Sequence, residues 1–150
     1  MGLFDSLTGG AAKVFVEAGE MVRGEAGQVV IRCQSAGGEV KYDRVYLKIQ
    51  GVEHVEVMDT DLVTDYDGDV HRRGELVRAS RTTYNEEINV APAGVLAANE
   101  SAQWTVDITI PDTANGEYNG QLASHHYQLF AAMDCFGNDP DSGWVRFMVW

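Results

Sequence analysis

Residues 104–150 read WTVDITIPDTANGEYNGQLASHHYQLFAAMDCFGNDPDSGWVRFMVW. In the first seven, Trp104, Val106, Ile108 and Ile110 alternate with Thr105, Asp107 and Thr109. A period of two sends one set to a buried sheet face and the other to water. The alternation returns over Gln121–Asp134 and again over Trp144–Trp150, with loops rich in Gly, Asn and Asp between. Successive short strands with no helical periodicity predict antiparallel β-structure.

Working outward, the same pattern runs upstream. Ala12–Glu17 reads as a strand with Val14 and Val16 on one face. Gln28–Gln34 reads as a second, with Val29, Ile31 and Cys33 inward. A long strand is predicted from Tyr42 to about Val57, where Val45, Leu47 and Ile49 alternate with Tyr46, Lys48 and Gln50. Gly51 marks a bulge at which the inward parity shifts. Asp59–Asp69 reads as a loop, Leu76–Val90 as one or two strands, and "APAGVLAANES" as a connection. The expected fold is all-β, with seven or eight strands in an antiparallel two-sheet sandwich of immunoglobulin-like architecture. Residues 1–10, "MGLFDSLTGG", are expected to form a short helical leader with Leu3, Phe4 and Leu7 on one side. Residues 11–150 then make a single sandwich. The chain stops inside an apolar strand, which suggests a last strand docked into a sheet or a longer protein cut at this point.

Composition narrows the function. The net charge of −12 disfavours nucleic acid and anionic lipid, which attract Lys and Arg. No run of about 18 apolar residues exists, and no basic-then-apolar segment opens the chain, so neither a membrane helix nor a secretory signal is expected. Two cysteines in an unsecreted chain, Cys33 and Cys135, read as buried free thiols in a reducing compartment.

The candidate chemistry is thin. Asp59, Asp61, Asp65, Asp67 and Asp69 cluster as calcium ligands do. An EF-hand register counted back from Gly68 puts Val63 first and Gly74 twelfth, so that pattern fails. A looser calcium site is the alternative to a solvated acidic loop. His125 and His126 are neighbours in a strand and point to opposite faces, while His54 and His71 stand alone. Ser124, His125 and Asp134 lie along one strand and cannot converge as a triad. No catalytic residue and no cofactor are expected, and the chain reads as no enzyme. Met148 and Trp150 fall on the parity opposite Val145, Phe147 and Val149, so they read as an outward pair suited to contact with another chain.

Two ordered sets of motifs carry a family resemblance. Near the start stand Gly10, Ala12, Lys13 and Val14, then Gly19, Glu20, Val22, Arg23 and Gly24, then Val45, Tyr46 and Leu47. Near the end, "LFAAMDCFGNDPDSGWVRFMV" sets Asp134, Asp139, Pro140 and Asp141 in matching places. The chain thereby resembles the bacterial sporulation-control proteins of the arrestin-like superfamily. That resemblance implies the first of two arrestin-like sandwiches, in a cytoplasmic, non-enzymatic regulator that binds other proteins. Its partner would be an unknown protein, a second arrestin-like domain or another copy of itself. Partners would dock on loops or add a strand to the edge Ala12–Glu17, which makes Lys13 and Phe15 candidate contacts. The alternative is a surface or carbohydrate-binding sandwich with calcium in the acidic loop.

Overall fold

The computed structural model describes residues 12–150. The expected helical leader, residues 1–10, lies outside them. Ten strands follow in order: β1 (Ala12–Ala18), β2 (Ala26–Ser35), β3 (Val40–Tyr42), β4 (Arg44–Thr64), β5 (Val70–Ala91), β6 (Gly94–Leu96), β7 (Ser101–Thr109), β8 (Tyr118–Asn119), β9 (Ala123–Asp134) and β10 (Val145–Phe147). Among the described residues there is no helix.

Every strand pair is antiparallel. One sheet runs β1-β2-β7, the larger runs β10-β9-β4-β5 with β8 on β9, and β3-β6 forms a small third. Val14, Val16, Val29, Ile31 and Cys33 of the first sheet share one core with Val45, Leu47, Ile49, Tyr127, Leu129, Ala131 and Met133 of the second. These are the alternating inward sets, and burying each large aliphatic side chain contributes about 1.5–3 kcal/mol. This is the predicted β-sandwich.

The last strand is docked from both sides. Met21 N–H donates to the Met148 carbonyl at 2.9 Å, Trp150 N–H to Met21 at 2.8 Å and Arg23 N–H to Trp150 at 2.8 Å. The Gly19–Gly24 motif is therefore the cradle of the C-terminal strand. Gly24 supplies the positive φ of 81° that the turn requires. The Asp134–Asp141 motif is likewise structural. Asp139 accepts from the Tyr46 hydroxyl at 3.0 Å and from Cys135 N–H at 3.1 Å, and Pro140 accepts from Met133 N–H at 3.0 Å.

Three expectations need correction. Asp59–Asp69 is not a loop: β4 continues to Thr64, and the turn is confined to residues 65–69. The low strand propensity of Asp is overridden by the unbroken backbone ladder with β5, which sets Asp61 opposite Arg73 in register and carries an ion pair between Arg78 and Glu56 at 3.1 Å at its base. Leu76–Val90, read as one or two strands, falls within one strand of 22 residues, which needs no correction. The bulge does fall at Gly51, but the extra residue is Thr83 on β5, so β4 keeps its parity and β5 changes. A Cβ on Gly51 would lie 2.9 Å from Thr83 Oγ1 and 3.0 Å from Tyr127 Cε1, which is why glycine stands there. The connection at Gly94–Leu96 is also a strand, and it pairs with β3.

Pairing of β4 with β9 ends at Val55 opposite Ala123. Beyond it, β4 and β5 run on as a two-stranded arm, nine residues a side, from Glu56 opposite Arg78 to Thr64 opposite Val70. At about 3.3 Å per residue the arm projects about 30 Å.

Candidate functional site

The outer face of the large sheet bears a groove of about 510 Å³ beside the C-terminal strand. Its floor is His54 of β4 and Ser124 and His126 of β9, and one wall is Arg146, Met148 and Trp150. The other wall is Glu117, Tyr118 and Asn119. A second hollow of about 630 Å³ shares His54, Asn119 and Ser124 and continues toward Glu56 and Arg78 at the base of the arm.

Strand parity sets the floor. His125 and His126 point to opposite faces, as predicted: His125 enters the core and is fully buried, and His126 faces outward. His54 is not isolated. Register puts Val52 opposite His126 and His54 opposite Ser124, so the two imidazoles meet diagonally and stack with centroids 5.0 Å apart. Burial pushes the His126 imidazole below its usual range, and the Arg146 guanidinium and the neighbouring His54 push the same way.

The Glu117 wall is fixed by buried groups. The His125 ring sits with Nδ1 3.0 Å from the Gly116 carbonyl and Nε2 against the Thr83 hydroxyl. A carbonyl only accepts, so Nδ1 carries the proton and Nε2 accepts from Thr83. Tyr127 donates its hydroxyl proton to the Asn115 carbonyl, and Arg23 Nη1 donates to the Ala114 carbonyl at 2.7 Å. Glu117, 9% exposed, holds Arg146 at 3.2 Å and accepts from Val149 N–H at 3.3 Å. Trp150 is 51% exposed, and its indole N–H donates to Glu20 at 3.3 Å. The result is a groove with rigid walls, an indole and a thioether on one side, and a neutralised Arg–Glu pair across its end.

The other sequence-predicted residues fall elsewhere. Lys13 and Phe15 lie on the exposed face of β1, the outermost strand of the smaller sheet, with the Arg32 guanidinium 4.9 Å from the Phe15 ring. They form a patch separate from the groove. Met148 and Trp150 come together in the groove wall, on the parity assigned to them. Asp59 and Asp61 lie on one face of the arm. Asp65 organises the arm's turn, accepting from Asp67 N–H at 3.0 Å and Asp69 N–H at 2.9 Å and meeting His71 at 2.7 Å. Among the described residues no group of three or more His, Cys, Asp or Glu is placed to hold a metal ion. Cys33 and Cys135 are free thiols, and burial pushes them up to about 12 and about 11. Among the described residues no helix is long and apolar enough to cross a membrane. Sequence reasoning missed His54, Glu117 and Arg146, whose meeting depends on register and on a loop that local patterning does not specify.

No family model and no curated protein matches the sequence. Solved structures do. Spo0M, the sporulation control protein of Bacillus subtilis, superposes with a TM-score of 0.59 at 15% identity, over 93% of this chain and 49% of that one. The alkylpurine DNA glycosylase AlkC of Pseudomonas fluorescens, bound to DNA, gives 0.47 at 14% identity over 93% and 30%. A CARDB domain of a Pyrococcus furiosus protein, in complex with di-metal ions, gives 0.43 at 10% identity over 93% and 87%. The chain thus spans about half the length of Spo0M. At this identity the likeness concerns backbone architecture, and the chain has a Spo0M-like all-β fold.

Proposed function

We propose that the protein is a non-enzymatic, arrestin-like regulatory module that binds other proteins through the outer groove. The single observation that carries this reading is the half-exposed Trp150, held by Glu20 above a groove whose opposite wall is pinned from the core. Trp is among the residues that dominate binding energy at protein interfaces, and pre-ordering it lowers the entropic cost of docking. The occupant is a peptide segment with an aromatic or long aliphatic side chain to lie against Trp150 and Met148. The fold shared with a sporulation control protein supports a regulatory role. The histidines support binding over catalysis: His54 and His126 of the groove floor are stacked on each other, and His125 behind them has both nitrogens engaged.

The test is affinity purification from native lysate with the wild type beside a Met148→Ala/Trp150→Ala variant. Both side chains project outward, so the variant keeps the fold. A protein retained by the wild type and lost from the variant supports the proposal. Recovery of the same proteins by both, or of none, refutes it.

A further inference from the structure

The outermost strand of the large sheet is β5, and among the described residues its outer edge has no partner along all 22 residues. Such an edge is a template for another strand. Its charges are sorted along its length. Arg72, Arg73 and Arg78 occupy the arm with a single acid, Glu75, and Arg81 lies just past its base, while Glu86 and Glu87 occupy the part that rests on the sandwich. A strand basic at one end and acidic at the other is complementary to itself when turned antiparallel. We propose that two copies of this chain pair edge to edge along β5, antiparallel, about a two-fold axis at Ala79.

The register follows from the bulge. Thr83 is the extra residue, so the faces of β5 exchange there. Before the bulge, Arg72 faces the outer side with Thr82, and Arg73 faces the inner side with Arg81. Beyond the bulge, Glu86 faces inward beside Tyr84, and Glu87 faces outward opposite Lys48. A two-fold normal to the sheet preserves faces. With Ala79 on the axis, Leu76 meets Thr82 of the partner subunit. The bulge then takes up one residue, and Glu75, Arg73 and Arg72 meet Tyr84, Glu86 and Glu87 of the partner subunit. Both arginines meet a carboxylate on the correct face, and a small side chain sits at the centre. Without the bulge the register would set Arg73 on Asn85 of the partner subunit, and only one of the two arginines would meet a carboxylate.

Two further observations favour a second copy as the occupant. Arg78 and Arg81 already hold Glu56 and Glu53, at 3.1 Å and 3.5 Å. Among the described residues Arg72 and Arg73 reach no carboxylate within 4.0 Å. The unspent cations are thus the two that the register sets on Glu86 and Glu87, and the latter's own contact with Arg44 is an exposed one. A two-stranded ribbon is also marginal alone in water, and three or more strands are needed for stability. The arm obtains its third strand from the partner's β5 and its fourth from the partner's β4.

Sedimentation velocity on the 150-residue chain across a concentration series reads the outcome. The wild type is expected to reach twice 16.4 kDa. Arg72→Glu/Arg73→Glu and Glu86→Arg/Glu87→Arg are each expected to stay monomeric, because each makes one sign of charge meet itself. An equimolar mixture of the two is expected to recover the dimer, since both ends of that hetero-pair are again complementary. Circular dichroism of each variant checks the fold, and recovery in the mixture shows that both remained folded. A monomeric wild type, a dimer that survives either reversal, or a mixture that stays monomeric overturns the proposal.

Discussion

Tyr127→Phe isolates the bond that seats the groove wall. Tyr127 is fully buried, edge-on to His125 at 5.0 Å and to Phe147 at 6.1 Å. Phenylalanine keeps every ring contact and deletes only the hydroxyl that donates to the Asn115 carbonyl. A net hydrogen bond is worth about 1 kcal/mol, and a carbonyl left dry costs up to about 3 kcal/mol. Asn115 itself is exposed, so water can reach its carbonyl once the wall loosens, which selects the lower part of that range. The expected cost is about 1–2 kcal/mol, or roughly 2–8 °C in the thermal midpoint of a chain this size. Hydrogen exchange should localise the change, with faster exchange over residues 113–119 and unaltered protection in β2 and β9. A midpoint within about 1 °C of the wild type, or exchange that rises evenly through the core, would show that the wall is not held from Tyr127.

Three further outcomes are expected. Gly51→Ala should cost about 1–3 kcal/mol by chemical denaturation, because its Cβ meets Thr83 and Tyr127, while Gly37→Ala, with nothing within 4 Å, should change stability by less than about 0.5 kcal/mol. The His126 imidazole is depressed in the fold, so the unfolded chain takes up its proton first as pH falls. Its share of stability is full above the unfolded value near 6.5 and is lost as pH falls through the lower folded value. Thermal midpoints from pH 7.5 to 5 should accordingly flatten in His126→Gln, and an unchanged slope would remove His126 as the cause. The raised Cys33 and Cys135 thiols should resist iodoacetamide at neutral pH in the folded chain and react promptly in urea, as read by mass spectrometry.

Local alternation carried the core because a sheet with one wet face writes its register into every second residue. Val29, Ile31 and Cys33, or Val145, Phe147 and Val149, need no partner to be assigned a side. The same logic gave Met148 and Trp150 their outward face. It could not give His54 its neighbour, since that stacking depends on which residue of β9 lies opposite. Nor could it separate the arm from a loop. The arm's aspartates look like turn formers until Arg72, Arg73 and Arg78 are known to return along the facing strand. An exposed ribbon lacks the apolar period that marks a half-buried strand, so Met58 and Leu62, 63% and 72% exposed, carried no inward signal. The short strands β3, β6 and β8 span three residues or fewer, below the length at which any period can be seen.

Thr83 ties the groove to the arm. As the extra residue of the bulge it is free to turn its hydroxyl onto His125 Nε2, which fixes the tautomer that donates to Gly116 and seats the Glu117 wall. The same insertion exchanges the faces of β5, so that Val77 and Ala79 of the arm continue the inner side of the sheet while Leu76 and Arg78 continue the outer. Deleting it would restore a regular ladder, and with it would go both the His125 partner and the face exchange. A regular β5 of this length would be the more stable ribbon by pairing alone. That the chain accepts an irregularity where its sandwich ends and its arm begins is most simply explained if both features it adjoins are used: the wall beside Trp150 that Thr83 helps to seat, and an edge whose charges match their own reversed copy.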